Sequence, residues 1–102
     1  MGQTGDDFGV PGNFLVVTTT HVTREHAPVL SVTHGWTEAD GTAWQFHSGD
    51  EDYRPEVLQL VLLDEILHLD PTLRAVARLP VDTEATRRSV SEPWQLRSLA
   101  EK

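Results

Sequence analysis

The sequence predicts an α+β domain, a small antiparallel sheet with a helical pair packed on one face. A run rich in β-branched residues at 14–20 and alternating apolar and polar residues at 29–34 and 43–47 predict three strands. The Asp70-Pro71 step predicts the start of a helix, because aspartate is a favoured cap and proline a favoured first helical residue. We therefore expect an antiparallel meander followed by two helices.

The chain of 102 residues has room for one hydrophobic core. We expect a flexible lead-in over residues 1–13, one domain over 14–98 and a short tail over 99–102. The absence of cysteine excludes disulfides, thiolate catalysis and cysteine-ligated zinc, and it favours a reducing compartment. No signal-peptide pattern and no apolar run of bilayer length is present, so the sequence predicts a cytoplasmic protein without a membrane partner.

The segment 43–47 has the clearest strand pattern. Its alternation places Trp44 and Phe46 towards the core and Gln45 and His47 on the opposite side. Large aromatic side chains bury much area, so this strand is expected to organise the core.

The segment 55–69 has two interpretations. One is a single long helix with Pro55 in its first turn; the other is a short strand over 57–62 and a helix beginning near Asp64. A nearly continuous apolar run carries too little periodicity to decide between them.

A second helix is expected from Pro71 to about Leu79, ending at Pro80. Residues spaced by three and four positions would form one apolar stripe facing the sheet: Ile66, Leu69, Leu73 and Val76. In the C-terminal segment, Trp94 is expected to anchor the last ordered stretch, and Arg87 and Arg88 are expected on the surface.

The net charge is −8, and the negative excess lies in the first 86 residues. Such an acidic body argues against binding to nucleic-acid phosphates, which requires a basic face. It favours a basic protein partner, because opposite charge speeds encounter and excludes wrong partners.

The candidate site is the polar corner over residues 48–52. Three adjacent carboxylates repel one another, and a basic partner or a bound cation would relieve that repulsion. The ligand spacing of a calcium loop does not continue here, and a plain solvated turn is the simplest alternative. We assign the predicted protein-contact surface to His47, Asp50, Glu51 and Asp52.

The alternative function is a small metal-binding domain or enzyme that uses His34, His47 and the acidic corner. The two histidines fall near the ends of neighbouring predicted strands, where they could approach each other. No pair of histidines has metal-binding spacing, and His47 and Ser48 point to opposite faces, so they cannot form a catalytic triad with Asp50. The sequence therefore predicts no catalytic residue, no metal site and no cofactor.

Several segments occur in an order found elsewhere: W-Q-F at 44–46, S-G-D-E-D at 48–52, L-D-P-T-L at 69–73, and a late Trp94. In this the chain resembles a family of short bacterial proteins of unknown function, whose related members resemble immunity partners of polymorphic toxins. The resemblance implies a toxin as the basic partner and favours the strand-then-helix interpretation of 57–69. It implies no catalytic residues.

Overall fold

Six strands form one mixed sheet with its helices on one face, which confirms the α+β class. The structure is a computed structural model, and it describes residues 8, 10, 12–37, 41–49 and 54–99. In chain order the strands and α-helices are β1 (Leu15–Thr19), α1 (Thr20–Thr23), β2 (Ser31–Thr37), β3 (Gly41–His47), β4 (Leu58–Leu62), α2 (Leu63–Leu69), β5 (Thr83–Thr86) and β6 (Gln95–Ser98). Two 3-10 helices cover Pro55–Val57 and Pro71–Val76.

The strand order across the sheet is β4-β1-β3-β2-β5-β6, so the predicted meander is wrong. Strand β1 pairs with β3 in parallel and with β4 in antiparallel fashion, and it does not pair with β2. Helix α1 and the segment 24–30 carry the chain past one strand position, and β3 then returns into the gap. A central place suits β1, since Val16 and Thr19 point to opposite faces and both are buried.

The core lies between the sheet and the helices, on what we call the covered face. Trp44 and Phe46 are the largest side chains buried there. Phe8 packs edge-on against Trp44, with ring centroids 4.9 Å apart at 73°. Phe8 and Val10 are buried, so the expected lead-in contributes to the core at these two positions.

The segment 55–69 is divided into a strand and a helix, as the second interpretation predicts. The backbone N–H of Leu63 donates to Phe14 O at 2.9 Å, and that of Asp64 donates to Gly12 O at 2.8 Å. At the strand end the Leu62 N–H donates to the Glu65 carboxylate at 2.9 Å, which caps the first turn of α2. Pairing with β1 therefore holds the first part extended, and the helix begins where that pairing ends.

The Asp70 cap is confirmed, since its carboxylate accepts a hydrogen bond from the Thr72 N–H at 3.1 Å. The helix that follows is 3-10 rather than α-helical, and it ends at Val76 instead of near Leu79. Pro80 is therefore not the residue that stops it.

Three of the four residues in the predicted apolar stripe are buried, namely Ile66, Leu73 and Val76. Leu69 is 45% exposed, and Leu67 is buried. The backbone leaves helical geometry at Asp70, and a 3-10 helix turns every three residues, so the spacing of a continuous α-helix does not apply.

Strands β5 and β6 extend the sheet beyond β2, and their residues carry no strand pattern that predicts them. Only Ala85 of β5 is buried, and all four residues of β6 are exposed. Their place in the sheet depends on pairing with β2 and with each other.

Candidate protein-interaction surface

The open face of the sheet, opposite the helices, carries a group of exposed leucines. Leu15 of β1 lies opposite Leu62 of β4, and β4 adds Leu58 and Leu60 on the same side. These side chains are 55%, 37%, 41% and 62% exposed, in that order. We call this group, Leu15, Leu58, Leu60 and Leu62, the leucine face. Neighbouring exposed aliphatic residues of this kind mark interaction surfaces more often than isolated ones do.

The pairing of β4 with β1 fixes which residues of β4 are exposed. Val61 lies opposite Val16 on the covered face, and both are buried. Gln59 points to the same face, where its side chain accepts a 2.5 Å hydrogen bond from the Thr23 hydroxyl. A register shift of one residue would bury leucines and expose glutamine, yet the observed register does the opposite. The fold therefore keeps apolar side chains outside and a polar one partly inside.

The remaining part of the open face is polar. Gln45 of β3 is exposed, and Thr33 of β2 lies opposite it. Further along the sheet, the Arg97 guanidinium donates to the Glu84 carboxylate at 2.5 Å. The leucine face is thus confined to β1 and β4, and the open face is divided into an apolar and a polar half.

Acidic residues border the leucine face at both ends of β4. Glu56 precedes the strand, and Asp64 and Glu65 follow it, all three exposed. Arg54 is the basic residue nearest to β4 in sequence. A partner that covers the leucines would therefore meet mainly negative charge around them.

Three of the predicted contact residues, Asp50, Glu51 and Asp52, lie outside the described residues. The chain connects them on one side to Gly49, just after β3, and on the other to Arg54, four residues before β4.

His47 is not accessible for the protein contact that the prediction assigned to it. It is 4% exposed, although Gln45 on the same face of β3 is exposed. Its Nε2 lies 3.0 Å from the Gln45 side-chain oxygen. The strand alternation predicted the face correctly, but a partner on the surface cannot reach this ring.

The structure does not bring His34 and His47 together. His34 stacks on Trp44 with centroids 3.9 Å apart, on the covered face, and its Nδ1–H donates to Leu79 O at 2.6 Å. His47 follows Trp44 by three residues and points to the open face. Within the described ranges, no three His, Asp or Glu side chains are grouped in a way that could hold a metal ion. The two histidines of the alternative function therefore lie on opposite faces of the sheet and do not approach each other.

Arg87 is buried, and the expectation that it lies on the surface is wrong. Its guanidinium donates to Val29 O at 3.1 and 3.0 Å, to Thr72 Oγ1 at 3.0 Å and to Asp70 Oδ2 at 2.9 Å. It also lies 4.1 Å above the ring of Trp94, which anchors this segment as predicted. These contacts join three parts of the chain, so Arg87 stabilises the fold rather than binding a ligand.

Comparisons of this chain with protein-family models, curated proteins and solved structures give no match. In the part of the chain that the structure describes, no helix is both long and apolar enough to span a membrane. The surface itself is therefore the basis for a functional proposal.

Proposed function

We propose that this chain is a non-catalytic protein-binding domain that uses the leucine face to contact a basic protein. The observation that carries the proposal is the set of exposed leucines at 15, 58, 60 and 62, which the register of β4 keeps in solvent. Exposing them has a cost, since burying one leucine contributes about 1.5–3 kcal/mol. A partner that covers them recovers that free energy.

Charge supports a basic partner. The net charge is −8, and carboxylates lie at both ends of β4. Complementary charge raises association rates and disfavours partners of the same sign.

Segments 44–46, 48–52 and 69–73 resemble a family of short bacterial proteins of unknown function, whose related members resemble immunity partners of toxins. This resemblance supports a narrower version of the proposal, in which the basic partner is a toxin. Co-expression with basic proteins encoded next to this chain tests that version. We expect the chain to restore growth of cells that produce one of these basic proteins. If the chain restores growth against none of them, the toxin version is wrong.

The first prediction concerns Leu60, the most exposed residue of the leucine face. Leu60→Ser is expected to weaken binding of the partner by about tenfold to a hundredfold, because one buried leucine is lost from the interface. The partner is captured from the native host, identified by mass spectrometry and purified, and its Kd is measured by titration calorimetry.

Leu96→Ser is the matched control. The side chain of Leu96 is 61% exposed, nearly the same fraction as that of Leu60. Leu96, however, lies on β6, the edge strand opposite β4. Both variants should melt close to wild type, since exposed substitutions usually change stability by less than about 0.5 kcal/mol. Equal weakening by the two variants, or none by either, would contradict the proposal.

The second prediction concerns the acidic corner. Asp50→Lys and Asp52→Lys are each expected to slow association with the basic partner and to flatten its dependence on salt, because each removes attraction at long range. Stopped-flow association at several salt concentrations measures both quantities. The control is Glu92→Lys, which reverses the charge of an exposed residue in the C-terminal segment. If it slows association as much, the corner has no special part in the encounter.

A further inference from the structure

The outer edge of β4 has a definite hydrogen-bonding pattern. In an antiparallel pair, successive residues direct their backbone N–H and C=O alternately towards and away from the neighbouring strand. The Leu63 N–H donates to Phe14 O beside β1, so the odd-numbered residues of this segment face β1. The backbone groups of Leu58, Leu60 and Leu62 therefore point outward.

Two of these three outward N–H groups are already bonded. The Leu58 N–H donates to Pro55 O, and the Leu62 N–H donates to the Glu65 carboxylate. Leu60 is different: no described residue beyond β4 bonds its N–H or its C=O. Among the described residues, one open donor and acceptor pair thus remains at the centre of the edge.

The edge also lacks the usual protection against pairing. Natural edge strands carry charged residues, prolines or bulges that prevent another strand from docking. Residues 57–63 contain no charge and no proline, and the five strand residues pair with β1 without a bulge.

A groove of about 480 Å³ lies beside β4 on the covered side. It is lined by Gln59 and Val61 of β4, by Thr23 of α1, and by Asp64, Glu65 and His68 of α2, among others. An added strand would place alternate side chains over the leucine face and over this groove. The first set meets aliphatic side chains, and the second meets two carboxylates.

We propose that the basic partner binds by adding an extended segment to β4; this proposal rests on the proposed function. In the added segment, apolar and basic residues alternate. Main-chain hydrogen bonds to Leu60 hold the segment, and side chains on the two faces select it. The apolar residues cover the leucines, and the basic residues reach Asp64 and Glu65.

A second copy of this chain fits the same edge less well. Antiparallel self-pairing about Leu60 would bring the end of β4 that follows Glu56 in one copy next to the end that precedes Asp64 in the other, and each copy carries a net charge of −8. Like charges brought together in this way repel each other and disfavour self-association. The occupant is therefore a basic segment from a different protein.

The test uses a short synthetic peptide of alternating valine and lysine and follows the chain by NMR. Residues directly opposite on paired strands share a face, so valines align with Leu58, Leu60 and Leu62 and direct their N–H groups at β4. Methylating the valine nitrogens is expected to weaken binding by about tenfold relative to methylating the lysine nitrogens, whose N–H groups point to solvent. The unmethylated peptide should slow hydrogen exchange at the Leu60 amide, while the Val61 amide exchanges slowly throughout.

A variant pair tests the same bond from the protein side. Leu60→Ala keeps the outward N–H, and Leu60→Pro removes it without breaking a bond to β1, as edge positions allow. Leu60→Pro is expected to bind the peptide about tenfold more weakly than Leu60→Ala. Melting curves verify folding, and the methylated peptides give an independent answer if Leu60→Pro does not fold.

The outcomes separate the two proposals. If both methylated peptides bind equally and Leu60 exchange is unchanged, strand addition is wrong; the proposed function still stands if Leu60→Ser weakens the partner. If Leu60→Ser has no effect on the partner, the proposed function fails whatever the peptide does. Sedimentation of the chain alone as a dimer with a protected Leu60 amide would also overturn the assignment of the edge to a different protein.

Discussion

Replacing Arg87 by alanine is expected to lower the free energy of unfolding by about 3–5 kcal/mol, the usual loss when one partner of a buried ion pair is removed. The Asp70 carboxylate would lose its ion-pair partner, and Val29 O would lose two donors. Trp94 would lose the cation above its ring. A domain of ordinary stability has only about 5–15 kcal/mol in total, so this variant should be close to unfolding.

Urea unfolding followed by Trp fluorescence and circular dichroism measures this loss. Arg88→Ala is the matched control, because the neighbouring arginine is exposed, and it should change stability by less than about 0.5 kcal/mol. Similar losses for the two variants would mean that the network around Arg87 does not stabilise the fold.

Replacing Trp44 by alanine is expected to cost about 3–5 kcal/mol, as for other large aromatic residues in a core. Trp44 is 1% exposed, and the rings of Phe8, His34 and Phe46 all contact it. The cavity would lie at the centre of the covered face, where the sheet and the surrounding helices cannot easily collapse.

Trp44→Phe separates packing from polarity. The indole Nε1 is buried without a hydrogen-bond partner among the described residues, so its removal leaves no new unsatisfied group. We expect a smaller loss than for alanine, and Gln95→Ala on the exposed edge strand should change stability by less than about 0.5 kcal/mol. Thermal unfolding measures all three, and a loss for Trp44→Ala no larger than that for Gln95→Ala would contradict the packing argument.

Local patterns were sufficient for the elements whose own residues determine them. Alternation around Trp44 predicted a strand with one aromatic face, and the Asp70-Pro71 step predicted a capped helix start. Both depend on residues within a few positions of each other. The class of the fold follows from such elements.

The strand order depends on contacts that local patterns do not contain. Nothing near β1 indicates that its neighbour is β3 rather than β2, because that choice depends on residues far along the chain. Strands β5 and β6 have little apolar character, and the sheet holds them through pairing. Arg87 lacks a local signal for the same reason: its partners Val29 and Asp70 lie 58 and 17 residues away.

The leucine face could not be predicted from the apolar run at 57–63. Among residues 57–63 only Gln59 is polar, so the run has no clear alternation, and hydrophobicity alone would assign the leucines to the core. Only the register against β1 shows that they are outside. The predicted corner at Asp50, Glu51 and Asp52 stays a prediction, to be decided by the salt dependence of binding.

The position of β1 between β3 and β4 also determines when the leucine face can form during folding. Strands β2 and β3 are joined directly and can form a hairpin early, because closing a short loop loses little chain entropy. Strand β1 is made first but must wait for two partners that come later in the chain. The leucine face needs β4 beside β1, so it is assembled after β4 has docked. A nascent or partly folded chain in which β4 has not docked therefore lacks the leucine face.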